Sequence, residues 1–85
     1  MAAYKLFFKK SVQKDFDSIP KRELKRILSR IESLSKDPRP KGCEKLTGQE
    51  RYRLRQGRYR IVYSIQDDEL MVWVVKVGHR KHIYR

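Results

Sequence analysis

The stretch that most restricts how this chain can fold runs from Tyr52 to Tyr63, Tyr-Arg-Leu-Arg-Gln-Gly-Arg-Tyr-Arg-Ile-Val-Tyr. Two alternating runs meet at Gln56-Gly57, a connection short enough for a tight β-hairpin. In the first run Tyr52 and Leu54 share one face, so Arg53 and Arg55 share the other. In the second, Ile61, Tyr63 and Ile65 share a face, and Arg60 points the opposite way with Val62. Successive side chains alternate along a strand, which lifts Arg53, Arg55 and Arg60 out of the core. Three guanidiniums on rigid strands, with no acid between residues 51 and 60, form a candidate seat for phosphates. Each offers a planar fork of donors and keeps its charge at any working pH. Arg also lines exposed sheet faces merely to keep them soluble and to blunt edges. The hairpin alone does not separate these two readings.

Around the hairpin the chain reads as an α+β domain. Tyr4 to Phe8 is apolar and bounded by Lys9-Lys10, as a first strand would be. Ser11 is placed to cap a helix on which Val12, Phe16 and Ile19 fall on one face. Pro20 ends that helix and suits the start of the next, where its missing N–H costs nothing. Leu24, Ile27, Leu28, Ile31 and Leu34 then make the cleanest helical stripe, with Lys25, Arg26, Arg30 and Glu32 on the outer surface. The stripes read as core rather than as a cofactor site. Asp37-Pro38-Arg39-Pro40-Lys41-Gly42 stops the second helix, and no periodicity is visible from there to about Arg51. After the hairpin, Gln66-Asp67-Asp68 turns the chain into a strand from Glu69 to about Gly78. Strict alternation there puts Leu70, Val72 and Val74 on one face and Met71, Trp73, Val75 and Val77 on the other. Apolar on both faces, it is expected to be the most enclosed strand, with Lys76 as the exception. The order β-α-α-β-β-β predicts a helical hairpin packed on one face of a small, mainly antiparallel twisted sheet.

Length and charge bound the function. A chain of 85 residues is expected to form one domain around one small core. A net charge of +12 exceeds what solubility asks for and predicts an anionic partner: nucleic acid, an acidic protein or a membrane surface. The kind of cation changes along the chain. Residues 1–36 hold seven Lys and three Arg, residues 37–85 four Lys and eight Arg, so specific oxyanion contacts are expected in the later part. The lone Cys43 permits no internal disulfide and fits a reducing cytoplasm. No stretch reads as a signal peptide or reaches membrane-spanning length. Two His, one Cys and scattered carboxylates give no closed ligand set, so neither metal nor other cofactor is expected.

After the last strand come Gly78-His79-Arg80-Lys81-His82-Ile83-Tyr84-Arg85. This ending, together with the hairpin motif Tyr-Arg-Leu-Arg…Gly-Arg-Tyr-Arg-Ile-Val-Tyr, resembles the RelE/ParE superfamily of bacterial and archaeal toxins, and its RelE-type ribonucleases in particular. Lys-Ser-Val-Gln-Lys-Asp-Phe before the helices and Lys-Leu-Thr-Gly before the sheet also fit, so the resemblance covers essentially the whole chain. It rests on the order and spacing of these pieces rather than on any one of them.

The resemblance implies a toxin of a type II toxin–antitoxin system. Such a toxin enters the ribosomal A site, cuts the mRNA codon there by 2′-OH attack on the neighbouring phosphate, and arrests growth by stopping translation. By motif position, Arg60 and Arg80 match family arginines, Tyr84 matches the tyrosine near the end, and Arg53 and Arg55 stand where relatives have lysines. Those five, with His82, are the candidate catalytic residues; Arg51, Arg58, Lys76, His79, Lys81 and Arg85 are the candidate RNA-binding surround. Arg60 and Arg80 suit a phosphate clamp, and Tyr84 suits base stacking or proton acceptance. A guanidinium hardly deprotonates, so His82 and His79 become attractive for proton transfer. Glu44 and Glu50 are weaker candidates for that role.

The resemblance further implies an acidic RelB-like antitoxin, with operator DNA bound by the toxin–antitoxin complex. Two other functions fit the same charge: a ParE-like DNA gyrase inhibitor, and a non-catalytic nucleic-acid-binding module.

Overall fold

A computed structural model describes residues 3–48 and 50–79. Along the chain the elements are β1 (Lys5–Phe8), α1 (Val12–Asp17), α2 (Lys21–Ser33), β2 (Glu44–Lys45), β3 (Tyr52–Gln56), β4 (Tyr59–Gln66) and β5 (Met71–His79). The strands form one sheet in the order β1-β5-β4-β3-β2, with β1 parallel to β5 and all other pairs antiparallel. Both helices lie on one face, as the hydrophobic periodicity predicts. The sequence gives no sign of β2. It is two exposed residues long and exists because Glu44 and Lys45 pair with Arg53 and Tyr52, a tertiary interaction without a local signature.

The core lies between the helices and the inner sheet face. Val12, Ile19, Ile27, Ile31 and Leu34 meet Leu54, Ile61, Tyr63, Val72, Val74 and Val77, all buried. Fully burying one such aliphatic side chain contributes roughly 1.5–3 kcal/mol, so this layer dominates stability. Two expectations at the helix starts change. Ser11 is itself helical in backbone conformation and makes no side-chain cap, the first turn being fastened instead by Val12 N–H to the Lys9 carbonyl at 2.9 Å. Pro20 stands at the cap position of α2 in an extended conformation and its carbonyl accepts the Leu24 N–H at 2.9 Å.

The hairpin turn is Gly57-Arg58, one residue later than the alternation suggests, because Gln56 pairs with Tyr59. Gly57 has φ 60°, the left-handed region a glycine reaches without strain at the first position of a two-residue turn.

A larger departure occurs in β5. Tyr63 pairs with Val74 but Val62 pairs with Lys76, so Val75 is an extra, bulged residue. The bulge breaks strict alternation. Val77 turns inward to join Val72 and Val74, and Lys76 turns outward beside Val62, the reverse of the expected faces. Nor is β5 the most enclosed strand. That is β4, in the middle of the sheet, where four successive residues from Arg60 to Tyr63 are buried. The reason is that no helix covers the outer face of β5, leaving Met71, Trp73 and Val75 only half-buried.

The loop after α2 is tied down by polar contacts far apart in sequence. The buried Tyr63 hydroxyl donates to the Pro38 carbonyl at 2.8 Å, and burial pushes its phenol well above the ordinary range. Arg39 makes a two-pronged contact with Asp67 at 3.1 and 2.9 Å, its Nε donates to the Tyr52 hydroxyl at 3.3 Å, and the Tyr4 hydroxyl donates to Asp67 at 2.8 Å. These two donors, Arg39 first, hold the Asp67 carboxyl at a pKa of about 2, below its ordinary 3.8.

Two outcomes are expected. Tyr63→Phe leaves the Pro38 carbonyl without its donor and costs about 1–3 kcal/mol, read as a lower urea midpoint at unchanged slope. The folded-state pKa of Asp67 is depressed, so its contribution is full above about pH 4 and is lost as pH falls toward about 2. The difference in melting temperature between wild type and Asp67→Asn is therefore largest at neutral pH and closes across that acidic window.

Candidate nucleic-acid interface

Register across the outer face assembles the basic residues from three strands. Arg55 on β3 lies directly opposite Arg60 on β4, and Arg60 lies opposite Gly78 on β5. One pair further along, Arg53, Val62 and Lys76 form the neighbouring row, and Glu44 on β2 stands opposite Arg53. The structure thus brings Arg53, Arg55, Arg60 and Lys76 onto one face, in two adjoining rows about 6.8 Å apart along the strands. With Val75 bulged out of the pairing, Lys76 falls on this face.

These cations differ in their surroundings. Arg60 is 7% exposed, the one charged residue buried among the described residues, while Arg55 and Lys76 are exposed. The Arg53 side chain is 14% exposed and forms an ion pair with Glu44. No acid lies within the hairpin itself, yet β2 supplies one from eight residues upstream of its start. Arg55 and Arg60 are like charges in directly opposed positions, an arrangement that disfavours the empty face and favours an anion over it. Gly78 puts no side chain beside Arg60 in this row.

Other candidates fall elsewhere. His79 pairs in register with Tyr59, whose ring it meets edge-on at 5.7 Å and 80°. Tyr59 packs against the helix-side core, so His79 sits on the opposite face from Arg60 and does not join the basic rows. With Asp15, Ser18, Ile19, Tyr59, Lys76, Val77 and Gly78 it lines an open depression of about 630 Å³ at the end of the sheet. Strand β1 ends before this point, and Asp15 of α1 accepts the Val77 N–H at 3.1 Å in its place. Arg58 is exposed at the hairpin turn, beside Glu23 and Arg26 of α2, and Arg51 is exposed just before β3. Of the weaker acid–base candidates, Glu44 is engaged by Arg53, and Glu50 is a loop residue 4.0 Å from Lys45. Arg80, Lys81, His82, Tyr84 and Arg85 lie outside the described residues. Among the described residues no group of three or more His, Cys, Asp or Glu side chains converges as a metal site, and no helix is long and apolar enough to cross a membrane.

Sequence reasoning passed over two features. One is the Arg39–Asp67 cluster, whose members are too distant in sequence to reveal each other. The other is an aromatic pair on the outer face: Phe7 and Trp73 are register partners and their rings stack at 4.9 Å and 20°. Its signal was present, in the odd-numbered apolar residues of a strand that is apolar on both faces.

Comparison with known proteins agrees with this architecture. A sequence model of the ParE toxin of type II toxin–antitoxin systems matches residues 6–84. RelE1 of Methanocaldococcus jannaschii is 31% identical over 80 residues, covering 89% of each chain. Among solved structures, the toxin–antitoxin complex RelBE2 of Mycobacterium tuberculosis contains a chain similar to this one at TM-score 0.81 and 26% identity, over 92% of this chain and 99% of that one. The RelE–RelB complex of Pyrococcus horikoshii OT3 contains another, at TM-score 0.79 and 28% identity, over 93% and 97%. From the strand order to the spacing of its motifs, this chain belongs to the RelE/ParE superfamily of type II toxin–antitoxin toxins.

Proposed function

We propose that this toxin is a ribosome-dependent endoribonuclease that cuts mRNA in the A site and thereby stops translation. The observation that carries the reading is Arg60: a buried guanidinium on the central strand, facing away from the core, with Arg53, Arg55 and Lys76 in the rows beside it. A cation held on a strand is positioned by the core behind it, which is what stabilising a transferring phosphate requires.

The reaction is an in-line transfer. The ribose 2′-oxygen forms a bond to the adjacent phosphorus as the bond to the 5′-oxygen breaks, leaving a 2′,3′-cyclic phosphate and a 5′-hydroxyl. The 2′-OH proton passes to a base, and the leaving oxygen takes up a proton. Arg60, with Arg80, clamps the phosphate and offsets the charge that grows on its oxygens in the pentacovalent state. Arg53, Arg55 and Lys76 hold the flanking phosphates, with Arg51, Arg58, Lys81 and Arg85 in the wider field. Guanidiniums cannot take the 2′-OH proton, and His79 faces the helix side, so that task falls to His82 or Tyr84. The ribosome supplies much of the remaining rate by orienting the mRNA.

An acidic RelB-like antitoxin is the natural partner. Charge complementarity with a +12 chain gives fast association, and the structural neighbours include RelB–RelE complexes. Operator DNA is bound by the toxin and antitoxin together, and the work is done in the cytoplasm, where the ribosomes are.

A second reading, inhibition of DNA gyrase, is favoured by one observation: the matching sequence model is that of the ParE toxin. A gyrase poison does not need the Arg60 row. The two are separated by primer extension on an mRNA during translation, with wild type, Arg60→Ala and Tyr84→Ala. Discrete cuts inside codons, dependent on translating ribosomes and reduced about a hundredfold or more in the variants, are expected. Intact mRNA accompanied by growth arrest and gyrase-linked DNA breaks would overturn the nuclease reading.

A further inference from the structure

The outer sheet face has a second half that the phosphate chemistry does not use. Crossing the sheet from its edge, Phe7 on β1, Trp73 on β5 and Ser64 on β4 are register partners in one row. Phe7 and Trp73 stack on each other and both remain half-buried. Neither belongs to the helix-side core, which takes their strand neighbours Leu6, Val72 and Val74 instead. β1 is the edge strand, so the stack is bounded by the sheet edge on one side and by a small hydroxyl residue on the other. Bulky apolar rings thus lie half-buried on the face opposite the helices.

What lies beside the rings indicates what they meet. The next paired row along β4 and β5 is Val62 and Lys76, with Arg53 beyond, and the row after that holds Arg60 and Arg55. Aromatic planes next to rows of cations are the two halves of a single-strand nucleic-acid surface: bases stack on the rings while phosphates meet the guanidiniums. Along β4 the aromatic row lies about 6.8 Å from the Val62–Lys76 row and about twice that from the Arg60 row, a reach that a short single strand covers. A protein partner that buried the rings would be expected to bring carboxylates to the same cations, but it would have no need of stacked planes.

We propose that Trp73, backed by Phe7 and given room by Ser64, is a stacking platform for an unpaired base of the RNA whose backbone crosses the Arg60 and Lys76 rows. This rests on the nuclease reading for its choice of ligand. It adds a positioning site, on the β1 side of the sheet, that holds a nucleotide flanking the cut.

Trp73 is the sole tryptophan of the chain, so its fluorescence reports on the platform directly. The test titrates the wild-type toxin with a labelled oligoadenylate and with an abasic ribose-phosphate strand of equal length, reading label anisotropy and Trp73 emission together. Oligoadenylate is expected to quench Trp73 over the range in which it binds. The abasic strand is expected to bind roughly tenfold more weakly and without quenching. Trp73→Leu, which keeps an apolar side chain at the site, should bring oligoadenylate down to the abasic affinity and leave the abasic strand unchanged, an outcome that misfolding would not produce. Equal affinities for the two strands, binding without quenching, or quenching by the antitoxin alone would each overturn the platform. Because the readout is binding, it is separable from cleavage. Quenching here together with intact mRNA under translating ribosomes would sink the nuclease reading and keep the base site, whereas ribosome-dependent cutting without quenching would do the reverse.

Discussion

A five-stranded sheet with helices on one side only packs its main core against that face, and much of this molecule follows from that asymmetry. With 39% hydrophobic residues in 85, the chain can seal the inner face, where Val12, Ile27, Ile31 and Leu34 meet Leu54, Ile61, Tyr63, Val72 and Val74. Side chains on the other face need a different source of order, and they obtain it through the backbone. Arg60 alternates with Ile61 on β4, so the packing that fixes Ile61 also fixes where the guanidinium starts. The site is stiff because the core directly beneath it is.

Charge plays two parts in this arrangement. Arg39 and Asp67 are both about half exposed, so their pair adds little to stability and acts mainly as a fastener for the loop after α2. Tyr63 drives the same attachment from the dry side through Pro38. On the outer face the cations outnumber the acids among the described residues, and Glu44 is set among them in register. One end of the molecule therefore has its charges matched, and the other presents an excess of cations that favours an anion.

Most of this fold was legible because its main elements announce themselves locally. The helical stripe from Leu24 to Leu34 and the alternation from Tyr52 to Ile65 are periodicities contained in short windows. What escaped was non-local. β2 consists of two polar residues and owes its existence to the strand beside it, and Ser11 lost its capping role because the preceding turn had already bonded the first N–H groups. The bulge in β5 is invisible in the residues themselves, since Val74-Val75 reads as two ordinary strand positions. Missing it reversed the faces of Lys76 and Val77. At the candidate site, the parity of Arg53, Arg55 and Arg60 was readable from the hairpin alone. The placement of His79 against Tyr59 was not, because it depends on which register two distant strands adopt.

The extra residue at Val75 also separates two things that strands usually tie together. Val74 and Val77 face inward while Trp73 and Lys76 face outward, so removing Val75 would leave each of these side chains on its present side. What the insertion changes is the path of the strand, since a bulge adds local twist and bend between the segments it joins. In this protein the bend falls between the aromatic row and the basic rows. Curvature of the face is thus set by a single residue that contributes no chemistry of its own, and composition and shape can vary there independently.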